Sequence, residues 1–172
     1  MSKRIPTKIL AIDPGTRAMG VAFLDHGQLL YHEVKTFSRQ GTPNERLQRI
    51  RQVVIRLISD LQPEMLVVEK THFANNRNAA LLNILGDEIW LIGKRRGVKV
   101  IAVAPSTVKK AICGHGRAGK QEIAAVVVSK FPKLKVYLSQ DRKWKTAHHA
   151  NMFDAVALGL ACMPPENSVN YR

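Results

Sequence analysis

The sequence predicts an α/β fold built on a mixed five-stranded sheet flanked by helices. Three strand-length apolar runs open the chain in quick succession, at Lys8–Asp13, Ala18–Leu24 and Gln28–Lys35, leaving no room for helices between them. Two later runs, Met65–Glu69 and Lys99–Ala104, are each preceded by an amphipathic stretch of helix length. Two of these runs end on an acid, Asp13 and Glu69, and open α/β sheets form their sites at the carboxyl ends of strands.

The elements follow in order. Pro14-Gly15 signals a turn after the first strand, and Asp25-His26-Gly27 a hairpin between the second and third. Thr42-Pro43-Asn44-Glu45 pairs a capping-box spacing with Pro at the first helical position. Leu47, Ile50, Val54, Leu57, Ile58 and Leu61 then recur at helical spacing until Pro63 stops them. After the short strand Met65–Glu69 comes a polar loop, Lys70 to Arg77, then a helix from Asn78 to Arg96 closed by Gly97. Beyond Lys99–Ala104, helices are expected over Pro105–Ile112 and Lys120–Phe131, with a flexible basic loop, Gly114–Gly119, between them. Lys133 to Arg142 reads as irregular, and a last helix as His148–Met163, stopped by Pro164-Pro165.

At 172 residues the chain is expected to form one domain, with a core over about 8–163, a short basic N-terminal segment and a C-terminal tail. It carries 27 Lys and Arg against 13 Asp and Glu, a net charge of +14. That excess, spread along the chain, points to a polyanionic partner, with nucleic acid ahead of a membrane surface. Two cysteines, Cys113 and Cys162, make no disulfide framework. No run reaches transmembrane length and no signal peptide opens the chain, so an intracellular, nucleoid-associated protein is expected.

In so basic a chain, three acids stand in apolar surroundings. Asp13 closes Lys8-Ile9-Leu10-Ala11-Ile12, Glu69 closes Met65-Leu66-Val67-Val68, and Asp154 lies inside Met152–Leu158. An ionised carboxylate beside a core is costly unless it is paired or binds a metal. Two strand ends and one helix can bring the three onto divalent cations. Such a cluster suits two Mg²⁺ ions about 4 Å apart, acting on a phosphodiester. Mg²⁺ keeps several waters, so few protein ligands are needed.

These residues resemble a known family. Ile12-Asp13-Pro14-Gly15-Thr16-Arg17-Ala18-Met19-Gly20 is similar to the opening motif of the RuvC Holliday-junction resolvases, and Val67-Val68-Glu69 to their second acidic motif. Val108 to Gly116, continuing through Lys120, resembles the family's basic segment, and Asp154-Ala155-Val156-Ala157-Leu158-Gly159 its final acidic motif. The resemblance runs from about Lys8 to Met163. It implies a ribonuclease-H-like fold, a homodimer, four-way DNA junctions as substrate, and Mg²⁺ as cofactor with Mn²⁺ able to substitute. It implies catalytic and metal-binding roles for Asp13, Glu69 and Asp154. One departure stands out: the family's fourth ligand, an Asp or a His three residues before the last Asp, is here Asn151. Asn151 is one turn from Asp154 and can face the same way, with His149 and His148 the nearby alternatives.

Lys109, Lys110, Arg117 and Lys120 bracket the glycine loop, and Arg142, Lys143 and Lys145 precede the last helix as read here; these are candidate phosphate contacts. Gly114–Lys120 nearly fits a P-loop but has Gln121 where Ser or Thr belongs, and it follows a helix; nucleoside triphosphate binding is rejected. In the loop after Glu69, Phe73 is placed to stack on an unstacked base, with His72 a neighbouring candidate and Arg77 a further DNA contact.

The reading is a homodimeric, Mg²⁺-dependent endonuclease of DNA recombination and repair that resolves four-way junctions. The helix Asn78–Arg96, with more apolar positions than one stripe needs, is the candidate dimer contact. The alternatives are a junction-binding protein with a weakened site, favoured by Asn151, and an RNA-processing nuclease of the same fold. An actin-like phosphotransferase needs two such lobes and a longer chain. Cleavage preference, phage or organellar origin, and partnership with a branch-migration motor stay open.

Overall fold

The computed structural model describes residues 6–71, 77–138 and 143–163, with the side chains of 77–79 and 143–147 outside the description. Five strands, β1 (Lys8–Asp13), β2 (Ala18–Asp25), β3 (Gln28–Thr36), β4 (Met65–Glu69) and β5 (Lys99–Val103), form one sheet in the order β3-β2-β1-β4-β5. β1 pairs antiparallel with β2 and parallel with β4, which is parallel to β5. The sheet is therefore mixed, as the run of elements predicts.

The hairpin between β2 and β3 turns at His26 (φ 47°) and Gly27 (φ 82°), with Asp25 opposite Gln28. Positive φ at both central residues is the two-residue turn whose twist matches that of the strands. Helix α1 (Pro43–Leu61) starts at the capping box: Thr42 Oγ1 accepts from the Glu45 N–H (3.2 Å), and Glu45 Oε2 accepts from the Thr42 N–H (2.8 Å). α2 spans Arg77–Arg95, α3 Pro105–Cys113 and α4 Lys120–Lys130, each within a residue of its expected ends.

Two expectations need correction. The stretch from Lys133, expected to be irregular or briefly extended, falls in a short 3-10 helix, Pro132–Tyr137, whose Leu134 is fully buried. The last helix, α5 (Lys143–Ala161), starts five residues before His148, so Lys143 and Lys145 lie on it and do not precede it. Its first turns, Lys143-Trp144-Lys145-Thr146, carry no periodic apolar stripe to mark them.

Both faces of the sheet are covered. Leu10, Ile12, Val21, Phe23, Leu66 and Val68 pack with Ile50 and Val54 of α1 and Leu85 and Ile89 of α2. Ile9, Ala11, Ala22, Leu24, Met65 and Val67 pack with Val108, Val127, Met152, Val156 and Leu158 of α3, α4 and α5. Alternate residues of a strand face opposite ways, so Asp13 and Glu69 continue the second set and face the α5 side.

Candidate active site

Asp13 and Glu69 end neighbouring parallel strands whose register pairs Ile12 with Val68. Their side chains leave the same end of the sheet on the same face and share a hydrogen bond in which Asp13 donates and Glu69 accepts. α5 crosses β1 and β2 on that face and brings Asp154 to the pair. Burial holds the Asp13 carboxyl well above the usual carboxylate range, and repulsion from Glu69 and Asp154 adds to it. Burial also raises Glu69, followed by the Asp154 charge, against the hydrogen bond from Asp13 and the charges of Lys109 and Lys120. Asp154 is raised by burial, opposed by Lys120 and then Lys109.

Among the described residues, no group of three or more His, Cys, Asp or Glu side chains is placed so that it could hold a metal ion. The donor set is nonetheless hard oxygen, crowded and short of countercharge. A divalent cation relieves that condition, and Mg²⁺ brings waters to fill its remaining positions. The chemistry of the donors, though not their spacing as placed, therefore suits such a cation.

The profile of one family, described as crossover junction endodeoxyribonuclease RuvC, matches residues 9–161. The chain belongs to the RuvC family. A RuvC of Halorhodospira halophila is 32% identical over 125 residues, covering 70% of this chain and 75% of that one. A RuvC of Thermus thermophilus is 31% identical over 127 residues, covering 69% and 76%. The solved T. thermophilus RuvC superposes with a TM-score of 0.71 at 27% identity, covering 90% of this chain and 92% of that one. The same values hold for T. thermophilus RuvC in complex with a Holliday junction substrate. The yeast mitochondrial Holliday junction resolvase shares the fold, with a TM-score of 0.67 at 14% identity.

The basic residues divide within this RuvC-type frame. Lys109 on α3 is half-buried, Lys120 is the first residue of α4, and both act electrostatically on Glu69 and Asp154. Lys110 and Arg117 are exposed. In the glycine loop Gly114, His115, Gly116 and Arg117 are exposed and Ala118 is buried, and Glu122 accepts from the Gly119 N–H (2.8 Å) and meets His115 Nε2 (3.1 Å). Glu122 sits three residues after the helix cap, so the capping spacing was visible in the sequence although no reading used it.

The fourth-ligand position behaves differently from the acids. Asn151 Nδ2 donates to the backbone carbonyl of Ala18, at the start of β2 (3.1 Å). The His149 ring meets Tyr137 at a tilt of 53° with 4.7 Å between ring centroids, and Tyr137 meets His32 of β3 edge-on at 5.8 Å. The structure thus sets the His149 ring against the 3-10 helix, and the five-residue offset from Asp154 explains why. Gly20 was also missed: a Cβ there would lie 1.8 Å from the Asn151 carbonyl oxygen, so only glycine lets α5 approach β2 this closely.

His72 and Phe73 lie outside the described residues. Arg77 opens α2 and Lys143 opens α5, with side chains outside the description, and Arg142 is likewise outside it. Among the described residues no helix is long and apolar enough to cross a membrane.

Proposed function

We propose that this protein is a Mg²⁺-dependent endonuclease that resolves four-way DNA junctions by symmetric phosphodiester hydrolysis in recombination and repair. The observation that carries the reading is the convergence of Asp13, Glu69 and Asp154 under two lysines, in a chain of the RuvC family with a charge of +14. The three carboxylates hold two divalent ions, Mg²⁺ or Mn²⁺. When bound, such ions activate a water and stabilise the leaving 3′ oxygen of an in-line displacement. Lys109 and Lys120 meet the phosphate oxygens of the scissile strand, with Lys110, Arg117, Arg77 and Lys143 holding flanking phosphates. Phe73, with His72 beside it, stacks on a base at the opened junction centre.

A homodimer sets two such sites on strands of like polarity. α2 is the proposed contact. Of its apolar residues, Leu85 and Ile89 are buried in the core with Leu81, Leu82 and Ile92 packed against it, which leaves Leu91 (44% exposed), with Ile84 (48%) and Trp90 (38%), as apolar surface for a second copy to cover. A branch-migration motor is a candidate further partner, and the site of action is intracellular, wherever branched DNA arises.

The test is cleavage of an end-labelled mobile four-way junction with Mg²⁺ and then Mn²⁺, beside linear duplex and Asp13→Asn. Paired symmetric nicks on the junction alone, absent in Asp13→Asn, are expected. Asn151 favours a second reading, a junction-binding protein with a weakened site; tight binding with no cut in either metal would support it. Equal cleavage of RNA or linear DNA would move the protein to an RNA-processing or general nuclease of the same fold.

A further inference from the structure

We infer that Asn151 is a positioning residue, not a metal ligand: it fixes the height of α5 on β2 and so sets where Asp154 meets Asp13 and Glu69. This rests on the reading above that Asp154 holds a cation.

The contact surface between α5 and the sheet explains why a tether is needed. Asn151, Ala155 and Gly159 recur every four residues and form one stripe of the helix. A Cβ at Gly20 would meet the backbone of Asn151 and, at 3.2 Å, the Ala155 methyl. A Cβ at Gly159 would lie 2.4 Å from Leu24 Cδ1 and 3.4 Å from the Ala11 methyl. The helix therefore runs along β2 from its start toward its end, held by small apolar groups at close range. These contacts set how closely α5 lies on β2, and apolar contact is itself non-directional. Asn151 supplies the directional bond at the end of the stripe nearest the acids. Its partner is a backbone carbonyl at the start of β2, two residues before Gly20, and Gly20 is paired directly with Asp13. One turn further along α5 comes Asp154. The chain of fixed parts is thus Asp13, Gly20, Ala18, Asn151, Asp154. The amide nitrogen is the atom engaged, as a carbonyl partner requires a donor.

Asn151→Asp separates the two roles because they predict opposite signs. A ligand position gains a charge in this variant, so cation binding tightens and cleavage at low metal rises. A tether loses its donor and sets a carboxylate against the Ala18 carbonyl oxygen, two acceptors facing each other. The experiment uses the full chain. Mn²⁺ binding without DNA is read by calorimetry, and single-turnover cleavage of a four-way junction is read at saturating protein over a Mg²⁺ titration. All assays run below each variant's melting temperature.

Asn151→Asp and Asn151→Ala are both expected to lower the limiting rate at saturating metal by about tenfold or more, since misplacement by about an ångström costs up to about a hundredfold. Junction affinity should stay within about twofold, as expected when only the transition state is affected. Asn151→Asp should not tighten Mn²⁺. Asn151→Gln, which keeps the amide on a longer arm, should give an intermediate limiting rate, and it carries the test if Asn151→Ala does not fold. Tighter Mn²⁺ binding or faster cleavage in Asn151→Asp would make Asn151 a ligand position and overturn the inference. A wild-type limiting rate in Asn151→Ala or Asn151→Gln, even with a lowered melting temperature, would reduce it to a structural bond and also overturn it. Failure of the functional reading looks different: wild type would then cut no junction, while the calorimetry still reports on Asn151.

Discussion

On the α1–α2 face of the sheet, β1 and β4 present Leu10, Ile12, Leu66 and Val68 to Ile50, Val54, Leu85 and Ile89. On the opposite face the same two strands present Ile9 and Ala11 and then Asp13, and Met65 and Val67 and then Glu69. Both faces are dry at the level of the strands. Only one ends in carboxylates, and a helix carrying a third carboxylate closes over it. The first face can be packed for stability alone. The second must hold like charges together under a helix, an arrangement that opposes folding until a cation arrives.

The largest expected effect separates the two faces most sharply. Asp13→Asn should lower junction cleavage by about 10²–10³-fold or more, the scale seen when a group that stabilises transition-state charge is removed. The same substitution should raise the melting temperature of the metal-free protein at pH values where Asp13 must ionise, because it removes a carboxyl whose ionisation is opposed by burial and by Glu69 and Asp154. Ile50→Ala, fully buried on the other face, should do the reverse. It should cost about 2–5 kcal/mol of stability and leave the rate of the folded protein near wild type. A destabilised Asp13→Asn would show that the acids are already neutralised by partners within the chain.

The pH dependence follows from the same asymmetry. Burial and two neighbouring acids raise Asp13 above its unfolded value. Between the unfolded value, about 3.9, and the raised one, the folded state keeps a proton that the unfolded chain has released. The stability that this group contributes is therefore present at low pH and falls as pH rises through that window. Subtracting the Asp13→Asn curve from the wild-type curve of melting temperature against pH separates Asp13 and the acids coupled to it from groups such as Glu33, whose carboxyl is shifted down. The difference should grow with pH and shrink when Mg²⁺ is added. A difference flat in pH would break the claim that Asp13 is strained in the metal-free fold.

What the sequence made legible divides along the same line. α1 announces itself by its capping box and its stripe, and β1 to β3 by runs of strand length with turn residues between them. The acids were legible because a carboxylate at the end of an apolar strand has few inexpensive explanations. α5 was read less well. It is apolar on most sides, so periodicity located neither its start nor its contact stripe. The Gly20–Asn151 contact joins residues 131 apart in the chain, and nothing local to either residue signals it. Asn151 reads as an absence of charge in sequence and as a hydrogen bond in the fold.

The two lysine classes give a smaller effect. Lys109 and Lys120 act on the acids, whereas Lys110 is exposed on α3. Lys120→Ala and Lys109→Ala should each weaken cleavage by about tenfold or more, as hydrogen bonds to charged groups are worth about 1.5–3 kcal/mol. Lys110→Ala should change junction affinity slightly and mainly reduce its salt dependence. If Lys110→Ala matches Lys120→Ala in cleavage, the division of the basic segment into site and surface lysines fails.

The smallest expected effect is the most selective check on the comparison. Thr42 caps α1 through Glu45, on the face of the sheet opposite Asp13 and Glu69. Thr42→Ala removes the side-chain acceptor for the Glu45 N–H and should cost about 1 kcal/mol of stability. The helix it caps packs on Leu10 and Ile12, the residues that alternate with Ala11 and lead to Asp13 in β1. If the two faces are separable, denaturant melts should register the loss while single-turnover cleavage and the Mn²⁺ affinity stay at wild-type values. A slowed cleavage step at full folding would mean that strain on the α1 side reaches Asp13 through the strand itself, and the sheet would then act as one body for catalysis as well as for stability.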